Sequence, residues 1–83
     1  MSRHEYTLYI RSTCPFCHKV MRFMQEEGIV LPEVDINGDV SAADDLIAVG
    51  GKQQVPCLVI DGAAMYESDD IIEYMRSHRG EFA

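Results

Sequence analysis

Basic residues are scarce in this sequence. Seven Lys and Arg stand against fourteen Asp and Glu, which gives a net charge of −7 over 83 residues. A chain of this sign is repelled by phosphate backbones and by anionic lipid. We therefore expect neither nucleic acid nor a membrane among its partners.

Long apolar runs are also absent. The longest stretches, such as residues 55–60, are much shorter than the roughly 20 residues that a membrane-spanning helix requires. The first five residues carry charge, and neither an apolar segment nor a small-residue cleavage site follows them as in a secretory signal. We therefore expect a cytoplasmic protein.

Repeats and low-complexity tracts are missing, and 47% of the residues are hydrophobic, which is unlike a disordered chain. A chain of this length buries about 60–65% of its unfolded surface and can form one core. We expect a single domain over residues 1–83.

Local patterns predict the element order β-α-β-α-β-β-α. The expected strands cover residues 6–10, 30–36, 55–60 and 63–66, the last two joined by a turn at Asp61-Gly62. The second contains Pro32 and is expected either to be an edge strand or to begin after that proline. The expected helices run from Pro15 to a stop at Gly28, from a cap at Ser41 through residue 49, and over residues 69–78 behind a cap at Ser68. A β-α-β unit followed by a hairpin predicts an α/β fold, with a mixed four-stranded sheet covered by three helices.

Cysteine is scarce as well, with Cys14 and Cys17 close together and Cys57 alone. An odd number is a poor disulfide framework but is typical of a reactive site in a reducing compartment. We expect Cys14, at the cap of the first helix, to be a nucleophilic thiolate stabilised by the helix dipole. Cys17, one turn further on, is expected to be the resolving thiol. The basic residues Arg11, Lys19 and Arg22 are expected to lower the pKa of Cys14 further.

Three other interpretations of this pair stay open. A zinc site needs four ligands, and the sequence has no second Cys-x-x-Cys. Cys14-x-x-Cys17-His18 also spells the haem c attachment pattern, which requires an exported protein. Finally, both cysteines could be buried structural residues, although their flanks are polar and basic.

Two further segments each have a structural and a ligand-binding interpretation. A proline at Gln54-Val55-Pro56 opens an apolar run, either as an ordinary trans residue or as a cis bond that turns the Val55 backbone outward toward an extended ligand. Ser68 and Asp69 begin a helix, either as an ordinary cap or as a site for a substrate carboxylate, with Asp69 receiving an ammonium group.

Taken together, these features resemble the glutaredoxin family of the thioredoxin fold over residues 6–75. The resemblance implies glutathione-dependent thiol–disulfide exchange with no bound cofactor and no metal, a cis Val55-Pro56 bond and a glutathione groove. The groove residues that it implies are Arg11 and Lys52 at the glycine carboxylate, Val55 at the cysteinyl backbone, Ser68 and Asp69 at the γ-glutamyl end, and Phe16, Gln54 and Pro56 along the wall.

The sequence departs from the family pattern at Phe16, where Tyr is usual, at Gln54, where Thr is usual, and at Tyr66-Glu67-Ser68, which replaces a Gly-Gly run. The Gln54-Val55-Pro56 and Glu67-Ser68 elements are similar to the N-terminal domain of glutathione transferases, whose additional helical domain does not fit in 83 residues. Cys57 lies outside the motif, and strand alternation predicts a buried core residue.

We therefore expect a monomeric dithiol glutaredoxin acting with glutathione on disulfide-bearing or glutathionylated client proteins. The alternative from another class is a dimer that binds a [2Fe-2S] cluster through its Cys14 thiolates and glutathione, as some relatives do.

Overall fold

The structure is a computed structural model that describes residues 4–82. The strands are β1 (Tyr6–Ile10), β2 (Glu33–Asp35), β3 (Cys57–Ile60) and β4 (Ala63–Met65). The helices are α1 (Pro15–Glu27), α2 (Val40–Gly50), α3 (Ser68–Ser77) and α4 (Arg79–Phe82).

The four strands form one mixed sheet in the order β2-β1-β3-β4. Strand β1 runs parallel to β2 and antiparallel to β3, so that Leu8 lies opposite Glu33 on one side and Leu58 on the other. The β3–β4 turn places Asp61 at φ 50° and Gly62 at φ 86°, the left-handed conformations that a tight hairpin requires. The expected thioredoxin-like architecture is confirmed.

Apolar residues alternate along the strands and form a core on each face of the sheet. On one face, Leu8 and Leu58 pack with Val20 of α1 and with Ile71 and Met75 of α3. On the other face, Cys57, Ile36 and the α2 residues Ala42, Ala43 and Leu46 form a smaller cluster. Among residues 4–82, no helix is long and apolar enough to cross a membrane.

Several predicted boundaries are wrong. Helix α2 is capped by Asp39 rather than Ser41, because the Asp39 carboxylate accepts a hydrogen bond from the Ala42 N–H at 3.0 Å. Helix α3 begins at Ser68, and its cap is Glu67, with no side-chain cap bond. Strand β3 starts after Pro56 rather than at Val55, because proline has no N–H to donate to a ladder. Strand β2 starts after Pro32 and lies at an edge of the sheet, as that proline predicted.

A fourth helix, α4, follows the three that were predicted. It is held by its last residue, Phe82, whose ring packs on Tyr6 with centroids 4.6 Å apart. The Tyr6 hydroxyl donates to Glu81 at 2.9 Å. His4 reaches both Glu81 at 3.5 Å and the β3–β4 turn residue Asp61 at 2.6 Å. Helix α4 therefore rests against the start of β1.

Candidate active site

The site is built where β1 passes into α1. After Ile10 the chain turns, and the Cys14 N–H donates to the Arg11 carbonyl at 3.0 Å. Cys14 is extended at φ −91° and ψ 120° and is the N-cap of α1, with Pro15 as the first helical residue. Its half-buried sulfur lies at the end of the helix where backbone N–H groups are unpaired.

This position makes the Cys14 thiol unusually acidic. Burial opposes its ionisation, but the backbone N–H and the thiol of Cys17, the Phe16 N–H and the Arg11 charge together outweigh burial and lower the pKa of Cys14. Hydrogen bonds to the charged form are therefore the main stabilising contribution, and Arg11 adds to them.

Cys17 has the opposite environment. Its side chain is 0% exposed, and the Arg11 N–H donates to its sulfur at 3.4 Å. Burial, together with the neighbouring Cys14, raises the pKa of Cys17 to about 11. The two sulfurs therefore differ both in exposure and in acidity.

The loop before β3 forms the opposite wall. The Val55-Pro56 bond is cis, as the resemblance implied. The Cys14 thiol contacts the Val55 carbonyl at 3.9 Å, which brings residues 41 positions apart to the same place. Gln54 precedes Val55 directly, and the Phe16 ring, two positions after Cys14 on α1, is 62% exposed.

The N-terminus of α3 reaches the same region through an ion pair. Asp69 accepts a hydrogen bond from the Lys19 ammonium of α1. Ser68 is 9% exposed at the start of the helix. Lys19 was expected to lower the pKa of Cys14, but its ammonium pairs with Asp69. Arg11 does lower the pKa of Cys14, as expected.

Cys57 and His18, the other two residues considered as possible metal or haem ligands, contact other parts of the chain. Cys57 is 0% exposed in the α2-side core, as strand alternation predicted, and burial raises its pKa. The His18 Nε2 donates to the Ser12 carbonyl at 2.5 Å. Within residues 4–82, no three His, Cys, Asp or Glu side chains are grouped as a metal ion would require.

The contacts of one residue near this wall, Tyr66, were not predicted from the sequence. The Tyr66 hydroxyl contacts both the N–H and the carbonyl of Lys52, each at 3.3 Å. The Lys52 ammonium lies 4.9 Å from the centre of the Tyr66 ring. The sequence feature that could have indicated these contacts is Tyr66 itself, a large aromatic residue at a place where a Gly-Gly run is usual.

Comparison with known proteins places the site in a family. A family model described as the N-terminal domain of glutathione S-transferase matches residues 8–81. A probable glutaredoxin of Synechocystis sp. is 34% identical over 65 residues, which cover 77% of this chain and 74% of that relative. The chain belongs to the glutaredoxin family.

Further comparisons agree with this membership. Glutaredoxin 3 of Escherichia coli is 28% identical over 64 residues, or 77% of each chain. The solved structure of glutathione transferase Omega 3C from Trametes versicolor superposes on 95% of this glutaredoxin-family chain with a TM-score of 0.80 and 24% identity. The matched region is 35% of that transferase, so this likeness shows the fold alone.

Proposed function

We propose that this member of the glutaredoxin family is a glutathione-dependent disulfide oxidoreductase that uses Cys14 and Cys17. The observation that carries the proposal is the contrast between the two thiols. Cys14 is half-buried at a helix N-terminus with a lowered pKa, while Cys17 beneath it is fully buried with a raised pKa. This is the division between an attacking thiolate and a protected resolving thiol.

With a glutathionylated client, the Cys14 thiolate attacks the glutathione sulfur. A bond forms between these two sulfurs, and the client leaves as a thiolate that takes up a proton. A second glutathione thiolate then attacks the sulfur of the bound glutathione. Oxidised glutathione departs, and the Cys14 thiolate is restored without a metal or resident cofactor.

With a client that contains a disulfide, Cys14 becomes joined to one client sulfur while the other is released as a thiol. Cys17, deprotonated for this step, attacks the Cys14 sulfur and releases the second client sulfur. The resulting Cys14–Cys17 disulfide is reduced by two glutathione molecules, which leave as oxidised glutathione. Electrons pass from glutathione to the client in both sequences.

The proposed glutathione groove lies along the wall next to Cys14. The Val55 backbone faces the sulfur at 3.9 Å and is assigned to the cysteinyl portion. Arg11 and Lys52 are assigned to the glycine carboxylate. Ser68 and Asp69 are assigned to the γ-glutamyl end, where a ligand ammonium would take the place of Lys19 on Asp69.

The names of the relatives and of the matching family model support glutathione as co-substrate. We further propose that residues 1–83 act as one domain, in the cytoplasm and as a monomer, on client proteins carrying disulfides or glutathione adducts. Phe16 and Gln54 would contact these ligands from the two sides of Cys14.

Substitution of the resolving thiol tests the assignment. We expect Cys17→Ser to retain reduction of a glutathionylated peptide and to lose reduction of a protein disulfide, because the first reaction needs Cys14 and glutathione alone. Cys14→Ser should lose both, and Cys57→Ala is the matched control that should lose neither. Equal loss of both activities in Cys17→Ser would contradict the proposed division of roles.

A further inference from the structure

Tyr66 holds the loop that leads from α2 into the proposed groove. Its hydroxyl accepts a hydrogen bond from the Lys52 N–H and donates one to the Lys52 carbonyl, each at 3.3 Å. The ring of the same residue lies under the Lys52 ammonium at 4.9 Å. One side chain therefore contacts both the backbone and the charged group of Lys52.

The end of α2 is shaped to admit this ring. A Cβ atom at Gly50 would lie 1.8 Å from the Tyr66 hydroxyl oxygen and 3.0 Å from the Ala64 Cβ. The first distance is far shorter than any non-bonded contact of a real Cβ atom, so a larger residue at this position would displace the phenol. Gly50 and Tyr66 thus form a matched pair that places the hydroxyl against Lys52.

We propose that Tyr66 is a positioning residue for the carboxylate end of glutathione, acting through Lys52. The proposal rests on the function proposed above, in which Lys52 faces that carboxylate. A lysine has four rotatable side-chain bonds and loses much rotamer freedom when a ligand fixes it. Contact with Tyr66 restricts this freedom before the ligand arrives.

The geometry leaves Lys52 able to bind an anion. A cation over an aromatic face keeps the ammonium hydrogens that point away from the ring free to donate. Lys52 is exposed, so these hydrogens face solvent in the absence of a ligand.

Removal of the hydroxyl alone tests this role. Tyr66→Phe keeps the ring and its contact with the ammonium but removes both contacts with the Lys52 backbone. Binding is measured by calorimetry with S-methylglutathione, which cannot undergo exchange, and with S-methyl-γ-glutamylcysteine, which lacks the glycine carboxylate. Because Tyr66→Phe releases the Lys52 backbone from which the ammonium extends, we expect it to bind the first ligand about three- to tenfold more weakly and the second as the wild type does.

Two further variants complete the design. Lys52→Gln should show the same selective loss, and adding Tyr66→Phe to it should cause little further loss, because both changes act on one interaction. Tyr74→Phe is the matched control, since its hydroxyl contacts Tyr6 at 3.2 Å away from the groove. It should bind both ligands normally.

Equal weakening of both ligands in Tyr66→Phe, or no weakening of either, would overturn the positioning role. If the wild type reduces glutathionylated peptide and Tyr66→Phe binds normally, the proposed function stands and this inference fails. If the wild type neither binds S-methylglutathione nor turns over with glutathione, the proposed function fails and the inference fails with it.

Discussion

The burial of Cys17 predicts how fast the enzyme resolves a mixed disulfide at different pH values. Cys17 must lose its proton before it attacks the Cys14 sulfur. Its pKa in the reduced protein is about 11. At about pH 7 the reactive thiolate is therefore on the order of one molecule in 10⁴, and at about pH 9 on the order of one in 10².

Formation of the mixed disulfide removes the Cys14 thiolate and with it one of the groups that raise the pKa of Cys17. Burial, the largest cause, remains. The resolution rate should therefore rise by nearly tenfold per pH unit just above neutral pH, until the pH approaches the pKa of Cys17. Attack by Cys14, whose pKa is lowered rather than raised, should change less over the same range.

The assay begins from protein carrying glutathione on Cys14 and follows its release in the absence of external thiol. Cys17→Ser should release none and provides the baseline. A release rate that stays constant between about pH 7 and pH 9 would refute the reasoning, because it would show that Cys17 is already ionised near neutral pH.

Three further predictions concern stability and packing. Leu58→Ala, at a position that is 0% exposed, should reduce the free energy of unfolding by about 2–5 kcal/mol in urea titration. Asp61→Asn should destabilise the protein more at about pH 5 than at about pH 9 in the same assay. The hydrogen bond to Asp61 raises the pKa of His4, while the Glu5 N–H and then His4 lower the pKa of Asp61. The stability from the His4–Asp61 pair is present above the unfolded pKa of Asp61 and is lost as pH rises through the folded pKa of His4. Equal destabilisation at the two pH values would contradict a charged His4–Asp61 pair. Gly50→Ala, normally stabilising within a helix, should instead lower the melting temperature because the new Cβ overlaps Tyr66; a rise would show that the ring is free to move.

The reactive end of the site was predictable because its signals are local. Pro15 at the first helical position and Gly28 at φ 69° after the last helical residue define α1, and both belong to short patterns in the sequence. Alternation along β3 placed Cys57 in the core. The cis bond before Pro56 came from the family resemblance, since local sequence favours the trans form.

The remaining features depend on contacts between distant residues. Lys19 and Asp69 are 50 positions apart, and nothing near either residue indicates the other. Helix α4 is short, and it depends on the burial of Phe82 against Tyr6 rather than on helix propensity. The order of residues 11–22 predicted a basic region around Cys14. In the fold, however, Asp69 pairs with the Lys19 charge of that region.

The contacts of His4 bring the two ends of the described chain together. His4 and Glu81 meet at the start of β1, whereas Cys14 follows the other end of that strand. Five residues of strand separate these positions by about 16 Å. A fluorophore or surface tether attached at position 4 or 81 would therefore lie at the end of β1 opposite the reactive sulfur, which leaves Cys14 accessible in a labelled or immobilised form.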